Sequence, residues 1–465
     1  MSDSLDAVLA HLDATHDAQL ERLFDLLRIP SVSTDSAHDG DVRRAAEFCS
    51  DLLTASGFNS SVRDTTGHPM VVGHVDGPAD APHVLYYGHY DVQPPDPLDL
   101  WRSPPFDPVL VDGKNGPQIV ARGAADDKGQ LMMFVEALRA WNEVGGGIPV
   151  RATVLLEGEE ESGSPSLDPF LEANADELRP DVCIVSDTGM WDPATPAITT
   201  MLRGMVYLEV TLHGPSHDLH SGMYGGAVVN PLNELTRILG NLHDADGRIA
   251  VKGFYDGVIE PTDAQLAEWK GLGFDESGFL AEAGLDASTG EAGYSVLERI
   301  WSRPTLDVNG LFGGYTGEGA KTVIAAEASA KFSCRLVPGQ DPAAVEAALI
   351  SHLNGELPAG CRWTILSHGC NPAIQVPTKS PWLELAQHGL ERIWNRRAVL
   401  VGCGGSIPVV GSFQTILGAD SLLLGFGLDD DRVHSPNEKF DVASYRGGAR
   451  SHAAVLAVLA ESGRT

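Results

Sequence analysis

Short apolar runs that end in polar residues recur along this chain, separated by stretches with helical spacing. Leu5 to Leu27 carries apolar residues at helical spacing and stops before Pro30. Asp41 to Ser56 predicts a second helix, with Gly57 placed to cap it. Met70 to Val75 and Val84 to Tyr87 read as strands, the second running into Gly88-His89-Tyr90-Asp91. After a Pro-rich loop, Arg122 to Gly129 opens a helix from about Gln130 to Asn142. The β-branched run Val150 to Leu156 then delivers Glu157, Glu159, Glu160 and Glu161 into a glycine-rich turn. A further strand, Val182 to Val185, ends in Ser186-Asp187-Thr188. Strands alternating with helices predict an α/β fold with a doubly wound, mostly parallel sheet. In such sheets ligands gather beyond the carboxyl ends of the strands.

Near Arg203 the pattern changes. Met205 to Leu212 alternates like a half-exposed strand, Pro231 to Leu242 looks helical, and Lys321 to Val337 has room for one or two strands. Pro342 to Leu353 is helical and Arg362 to Ser367 is a last strand. The order β-α-β-β-α-β, with a long insertion from about Asp244 to Asn309, predicts an inserted ferredoxin-like α+β module. From about Pro372 the first pattern resumes, with a helix over Pro381 to Trp394, a buried strand at Leu422 to Leu424 and a closing helix from Tyr445 to Ser462. The expected organisation is a catalytic domain in two parts, 1–203 and 372–465, around a second domain at 204–371. Two domains also suit 465 residues, too many for one ordinary core.

Composition narrows the function. Asp and Glu total 64 against 32 Lys and Arg, a net charge of −32. Such a field repels phosphate backbones, so no nucleic-acid partner is expected. The mean hydropathy is −0.07, and no apolar run approaches the roughly 18 residues of a membrane span. Met1 to Leu20 is acidic and lacks the basic and apolar regions of a signal peptide. The six cysteines are scattered without short pair spacing, which reads as reduced, mostly core thiols in a cytoplasmic protein. Any metal would therefore be held by His and carboxylates.

The glutamate turn asks for a cation, because like charges a few ångströms apart resist ionising together. Five segments that follow strands offer hard ligands: His89, Asp126, the Glu159 to Glu161 turn, Asp187, and Val433 to Glu438 with His434. Imidazole and carboxylate without thiolate suit zinc, and also manganese or cobalt. Two histidines and three carboxylates exceed the needs of one ion and match a dinuclear site with a bridging carboxylate. Asp91, two residues past His89, is placed to accept the other imidazole N–H. Each residue has a plainer explanation. Asp126 and Asp127 could cap the following helix, the glutamate turn could be solvated, and His434 could pack in a loop. Convergence at one sheet edge is what favours the metal.

Seven motifs in order resemble the carnosinase-type dipeptidases of the dinuclear zinc peptidase family that also contains carboxypeptidase G, the aminoacylases and succinyl-diaminopimelate desuccinylase. They are Gly88 to Pro94, Arg122 to Gly129, Glu157 to Ser164, Leu219 to Gly226, Gly319 to Ile324, Gly404 to Pro408 and His434 to Glu438. The resemblance implies two divalent ions per subunit, with His89 and Asp187 on one, Glu161 and His434 on the other, and Asp126 bridging. It implies Glu160 as general base, taking a proton from the attacking water and passing it to the leaving amine. It also implies a cis peptide between Asp126 and Asp127. In dimeric relatives a histidine matching His220 crosses from the partner subunit to stabilise the oxyanion, so the inserted domain is expected to act as lid and homodimer contact. Arg335 matches the arginine that binds the substrate carboxylate, with Thr322, Gly405 and Ser406 also touching substrate.

The leading reading is a metal-dependent dipeptidase acting on short peptides with a free carboxylate. The alternative is an amidohydrolase that removes an acyl group from N-acyl amino acids. An aspartate at 187, where the deacylase and carboxypeptidase G branches place glutamate, and the run from His220 to Gly226 favour peptides. A scaffold protein without activity would have lost ligands, and none is missing. One departure bears on substrate: His368-Gly369-Cys370-Asn371-Pro372-Ala373 replaces a glycine- and lysine-bearing segment of the animal enzymes, so carnosine is not assumed.

Overall fold

The computed structural model describes residues 2–462. They divide into two compact units: residues up to Thr200 with Val376–Val401 and residues from Val409 onward, and Met201–Gln375 with Gly402–Pro408. The return of Gly402–Pro408 to the second unit has no counterpart in the boundary drawn at 372 from the sequence.

In the first unit, strands Asn59–Arg63, Met70–Val75, Arg151–Glu157, His83–His89, Val182–Val185, Asp420–Leu423 and Ala197–Leu202 lie side by side in that order. The four central ones are mutually parallel. Antiparallel pairs flank them on both sides. The sheet is thus parallel where the ligand-bearing strand ends lie and mixed outside. The hairpin Asn59–Arg63 to Met70–Val75 is joined by too few residues for a parallel crossover. The central strands are buried along nearly all of their length, with Arg151 at the exposed start of one, as their mostly apolar runs require.

Helix Lys128–Val144 packs against Val442–Ser462, which packs in turn against Pro381–Trp394. The single helix expected over Leu5 to Leu27 is two, Ser2–Ala14 and His16–Leu27. They meet at Thr15, where the backbone leaves the helical region at φ −105° and ψ 11°. Gly129, the second residue of Lys128–Val144, has to be glycine, because a Cβ there would lie 2.0 Å from the carbonyl oxygen of Ala124.

In the second unit, strands Gly204–His213, Thr305–Gly313, Glu327–Leu336 and Arg362–Asn371 form an antiparallel sheet. Its order is Thr305–Gly313, Glu327–Leu336, Gly204–His213, Arg362–Asn371. With helices Pro231–Gly240 and Pro342–Gly355 between them, the chain order is β-α-β-β-α-β. Strict alternation along Gly204–His213 sends Val206, Leu208, Val210 and Leu212 into the core with Leu235, Ile238 and Leu349. The second strand corrects the sequence reading, since it begins at Thr305 inside the stretch read as insertion. A register shift between Val308 and Gly310 breaks its period of two and hides it. Val323–Ile324 is a separate short strand paired with Leu219–His220.

All six cysteines are free, but only Cys49, Cys183 and Cys334 are buried, and Cys370 is exposed. Among the described residues no helix is long and apolar enough to cross a membrane.

Candidate metal centre

The three parallel strands His83–His89, Arg151–Glu157 and Val182–Val185 end at one edge of the first unit. Their carboxyl ends deliver His89, the glutamate turn and Asp187 to that edge. His89 is fully buried. Its Nδ1 faces the main-chain carbonyl of Asp91 at 3.1 Å, a group that can only accept. The proton therefore sits on Nδ1, and the Nε2 lone pair is left for a ligand. Asp91 thus faces the other imidazole nitrogen as expected, with its carbonyl nearer than its carboxylate. The carboxylate lies 3.4 Å away, and its Oδ2 accepts from the Glu161 N–H at 3.0 Å.

Asp126 presents one oxygen to each histidine: Oδ1 is 3.0 Å from His89 Nε2 and Oδ2 is 3.0 Å from His434 Nε2. Glu161 Oε2 lies 3.3 Å from His434 Nε2 and accepts from Gln93 Nε2 at 2.7 Å. Two groups of ligand atoms result, His89–Asp126–Asp187 and Asp126–Glu161–His434, with the atoms of each within 4.8 Å of one another. They share Asp126. This donor set, hard and without sulfur, fits a pair of divalent ions bridged by one carboxylate. The peptide between Asp126 and Asp127 is cis. Asp127 does not cap its helix. Its Oδ2 accepts from the His89 N–H at 3.1 Å instead.

Electrostatics point the same way. Two like charges 4 Å apart repel by about 4 kcal/mol at an effective dielectric of 20. Burial, reinforced by Asp126, raises the Asp187 carboxyl to about 7. Burial likewise raises Glu160 well above the usual carboxylate range. Hydrogen bonds to Asp126 and Glu161 push the His434 imidazole up to about 10. At His89 burial alone would lower the value, yet bonds to Asp126 and Asp91 carry it well upward. At Asp187 and Glu160 burial acts first and neighbouring carboxylates add to it, while at His434 the carboxylates of Asp126 and Glu161 hold the proton on.

The glutamate turn is only partly solvated. Glu157 and Glu159 are buried. Glu157 Oε2 accepts from the Tyr87 hydroxyl at 2.6 Å. Glu159 accepts from the main-chain N–H groups of His68 at 2.6 Å and Ser166 at 3.1 Å. These bonds flank the short 3₁₀ turn Glu160–Ser162, which carries Glu160 and Glu161. The His434 segment is equally constrained. Arg432, His434 and Asn437 all have left-handed φ, near +60°, a conformation held only where surroundings enforce it.

In the second unit, His220 and Thr322 come together because Leu219–His220 pairs with Val323–Ile324, and the Ser221 N–H donates to the Thr322 carbonyl at 3.1 Å. His220 is exposed, and its Nδ1 accepts from the Gly222 N–H at 3.0 Å. The neutral ring then carries its proton on Nε2, as a donor. Arg335 Nη1 donates to Ser406 Oγ at 3.1 Å, and that hydroxyl donates to the Arg203 carbonyl at 2.5 Å. The Arg203 N–H donates to the Gly405 carbonyl at 3.0 Å. Arg335, Gly405 and Ser406 thus form one cluster. Arg203 belongs to it too, although in the sequence it marked only a change of pattern. Gln93 was also overlooked as a partner of Glu161, although it stands in the Gly88 to Pro94 motif.

The sequence profile described as Peptidase family M20/M25/M40 matches residues 85–458. The chain is 32% identical to the Cys-Gly metallodipeptidase DUG1 of Saccharomyces cerevisiae, over 99% of each. Its structure is similar to that of the di-peptidase Dug1p from Saccharomyces cerevisiae, with a TM-score of 0.85 and 30% identity over 99% of both chains. Human carnosine dipeptidase 1 is similar at a TM-score of 0.85 and 27% identity, over 98% of this chain and 99% of that one.

Proposed function

This chain belongs to peptidase family M20/M25/M40, and from that membership we infer a metallodipeptidase in which Glu160 serves as general base beside two bridged metal ions. The observation that carries the reading is Asp126, whose two oxygens face His89 and His434 separately. Bound at the two ligand groups, divalent ions would acidify water to a pKa near 7 and polarise the scissile carbonyl. Zinc suits the ligands best, with manganese or cobalt as alternatives.

The chain's own residues supply the rest. Glu160, adjacent in sequence to the ligand Glu161, takes a proton from the attacking water and hands it to the leaving amine. Asp91 holds the glutamate turn through the Glu161 N–H and fixes the His89 tautomer through its carbonyl. Arg335, steadied by Ser406 beside Gly405, offers a planar fork to the substrate carboxylate. Thr322 contributes further contact with the substrate. His220 donates from Nε2 to the developing oxyanion.

The experiment that tests the function is a paired assay, dipeptides against N-acetyl and N-succinyl amino acids, after metal analysis. Dipeptides are expected to turn over faster. Faster turnover of the acyl amino acids would sink the reading.

A homodimer through the second unit, with that unit as the lid domain, is part of the proposal. Val308, Leu311 and Phe312 stand exposed on the edge strand Thr305–Gly313, an unusual placing for large apolar residues unless another surface covers them. The double variant Leu311→Asp/Phe312→Asp is expected to sediment as a monomer while the parent sediments as a dimer. Equal masses would refute the interface. If His220 acts across it, mixing His220→Ala with Glu160→Gln subunits restores activity, and no recovery in verified heterodimers would count against sharing. Free cysteines throughout support a reducing, cytoplasmic setting.

A further inference from the structure

Glu438 closes the last of the seven motifs, yet none of the roles above falls to it. It is fully buried. Its carboxylate accepts four hydrogen bonds. Oε2 takes Arg122 Nη1 at 2.8 Å and the Gly123 N–H at 3.0 Å. Oε1 takes the Ala125 N–H at 2.9 Å and the Asp126 N–H at 3.1 Å. A carboxylate offers about four acceptor sites, so its capacity is filled. Three of the four donors are main-chain groups of the turn that ends in Asp126. That turn needs such an acceptor, because Gly123 at φ +83° curls the backbone so that its N–H groups converge. Buried without a partner they would be costly.

The other side of Glu438 is tied just as firmly. Its carbonyl accepts from the Ala121 N–H at 3.2 Å, and strand Lys439–Asp441 then pairs with Gly116–Val120. Its neighbour Asn437 bonds the Leu100 carbonyl and the Arg102 N–H, each at 2.8 Å. His434 lies four residues before. One carboxylate therefore joins two ligand-bearing segments 312 residues apart in the chain.

We propose that Glu438 is a positioning residue that sets Asp126 against His434, so that the shared carboxylate faces both histidines at once. The inference rests on the reading of Asp126 and His434 as ligands. Because Asp126 belongs to both ligand groups, a shift of its turn weakens both together.

Glu438→Gln keeps the shape but turns an NH₂ donor toward N–H donors. Zinc affinity of the folded protein, measured by competition with a chromogenic chelator, is expected to fall about 10–100-fold, with kcat reduced and KM near that of the parent. The control is Glu136→Gln, which breaks the ion pair of buried Glu136 with half-buried Arg22, at 2.6 Å through both oxygens, away from the turn. It should lower the unfolding midpoint and leave zinc affinity unchanged. Parent-like zinc affinity in Glu438→Gln, or an equal loss in both variants, overturns the proposal. If Glu438→Gln does not fold, Glu438→Asp keeps the charge and withdraws it by one methylene. Weaker zinc binding there supports the proposal, and parent-like binding overturns it. Asp126→Asn separates the two levels of inference. If it too binds zinc like the parent, the ligand reading falls and this proposal with it. If only Asp126→Asn loses zinc, the positioning role alone falls.

Discussion

Replacing Glu160 by glutamine lowers kcat on dipeptides by about 10²–10⁴-fold while zinc stays bound at the level of the parent. The magnitude is that of a removed general acid–base group. Glutamine matches glutamate in size and can still accept a hydrogen bond, but it cannot carry the proton from water to the leaving amine. The ligand groups are His89–Asp126–Asp187 and Asp126–Glu161–His434, and Glu160 is in neither. Metal content should therefore not move. The check is zinc by elemental analysis beside steady-state kinetics on one protein batch. Near-parental kcat in the variant would remove Glu160 from the role. Loss of zinc in step with activity would make it a ligand instead.

The second large effect is expected from Asp126→Asn. An amide has one neutral oxygen and one NH₂ group, so it cannot present an anionic oxygen to each of His89 and His434. Both ligand groups lose a member with one substitution. Activity should fall to the background of the assay, with zinc affinity reduced by more than the 10–100-fold typical of an outer-shell change. A thermal readout keeps the test independent of catalysis. A ligand that binds only the folded state stabilises it by about 2.7 kcal/mol at a hundredfold excess over Kd. The parent should melt higher with zinc than after chelation, and Asp126→Asn should melt at one temperature in both. A zinc-dependent shift of parental size in the variant would refute the bridging role. The same chelation should abolish parental activity, and zinc should restore it.

What was legible in the sequence depended on how local the cause was. Strand ends announce themselves, because an apolar run that stops at a His or Asp is a feature of ten residues. That is why His89, Asp187 and the glutamate turn could be picked out. Errors fell where one residue spoiled a period. Two helices meet at Thr15 although the apolar spacing runs on through it, and the register shift after Val308 hid a whole strand. Within the glutamate turn, composition could not tell ligand, base and structural residues apart. Glu157 and Glu159 looked free to be solvated until both were seen buried, Glu157 bonded by Tyr87 and Glu159 by His68 and Ser166.

The sequence by itself pointed to the kinds of candidate ligand, the parallel strands that carry them, and the family through motifs kept in order. Those are properties of short segments, set by side-chain chemistry and by the periods of strand and helix. Only the tertiary structure decided which oxygen of Asp126 faces which histidine, that the Asp91 carbonyl comes nearer to His89 Nδ1 than the Asp91 carboxylate does, and that Glu438 bonds the turn before Asp126. Each of these is a contact between segments far apart in the chain. Its geometry comes from the whole packed unit, because a few tenths of an ångström separate a hydrogen bond from a near miss.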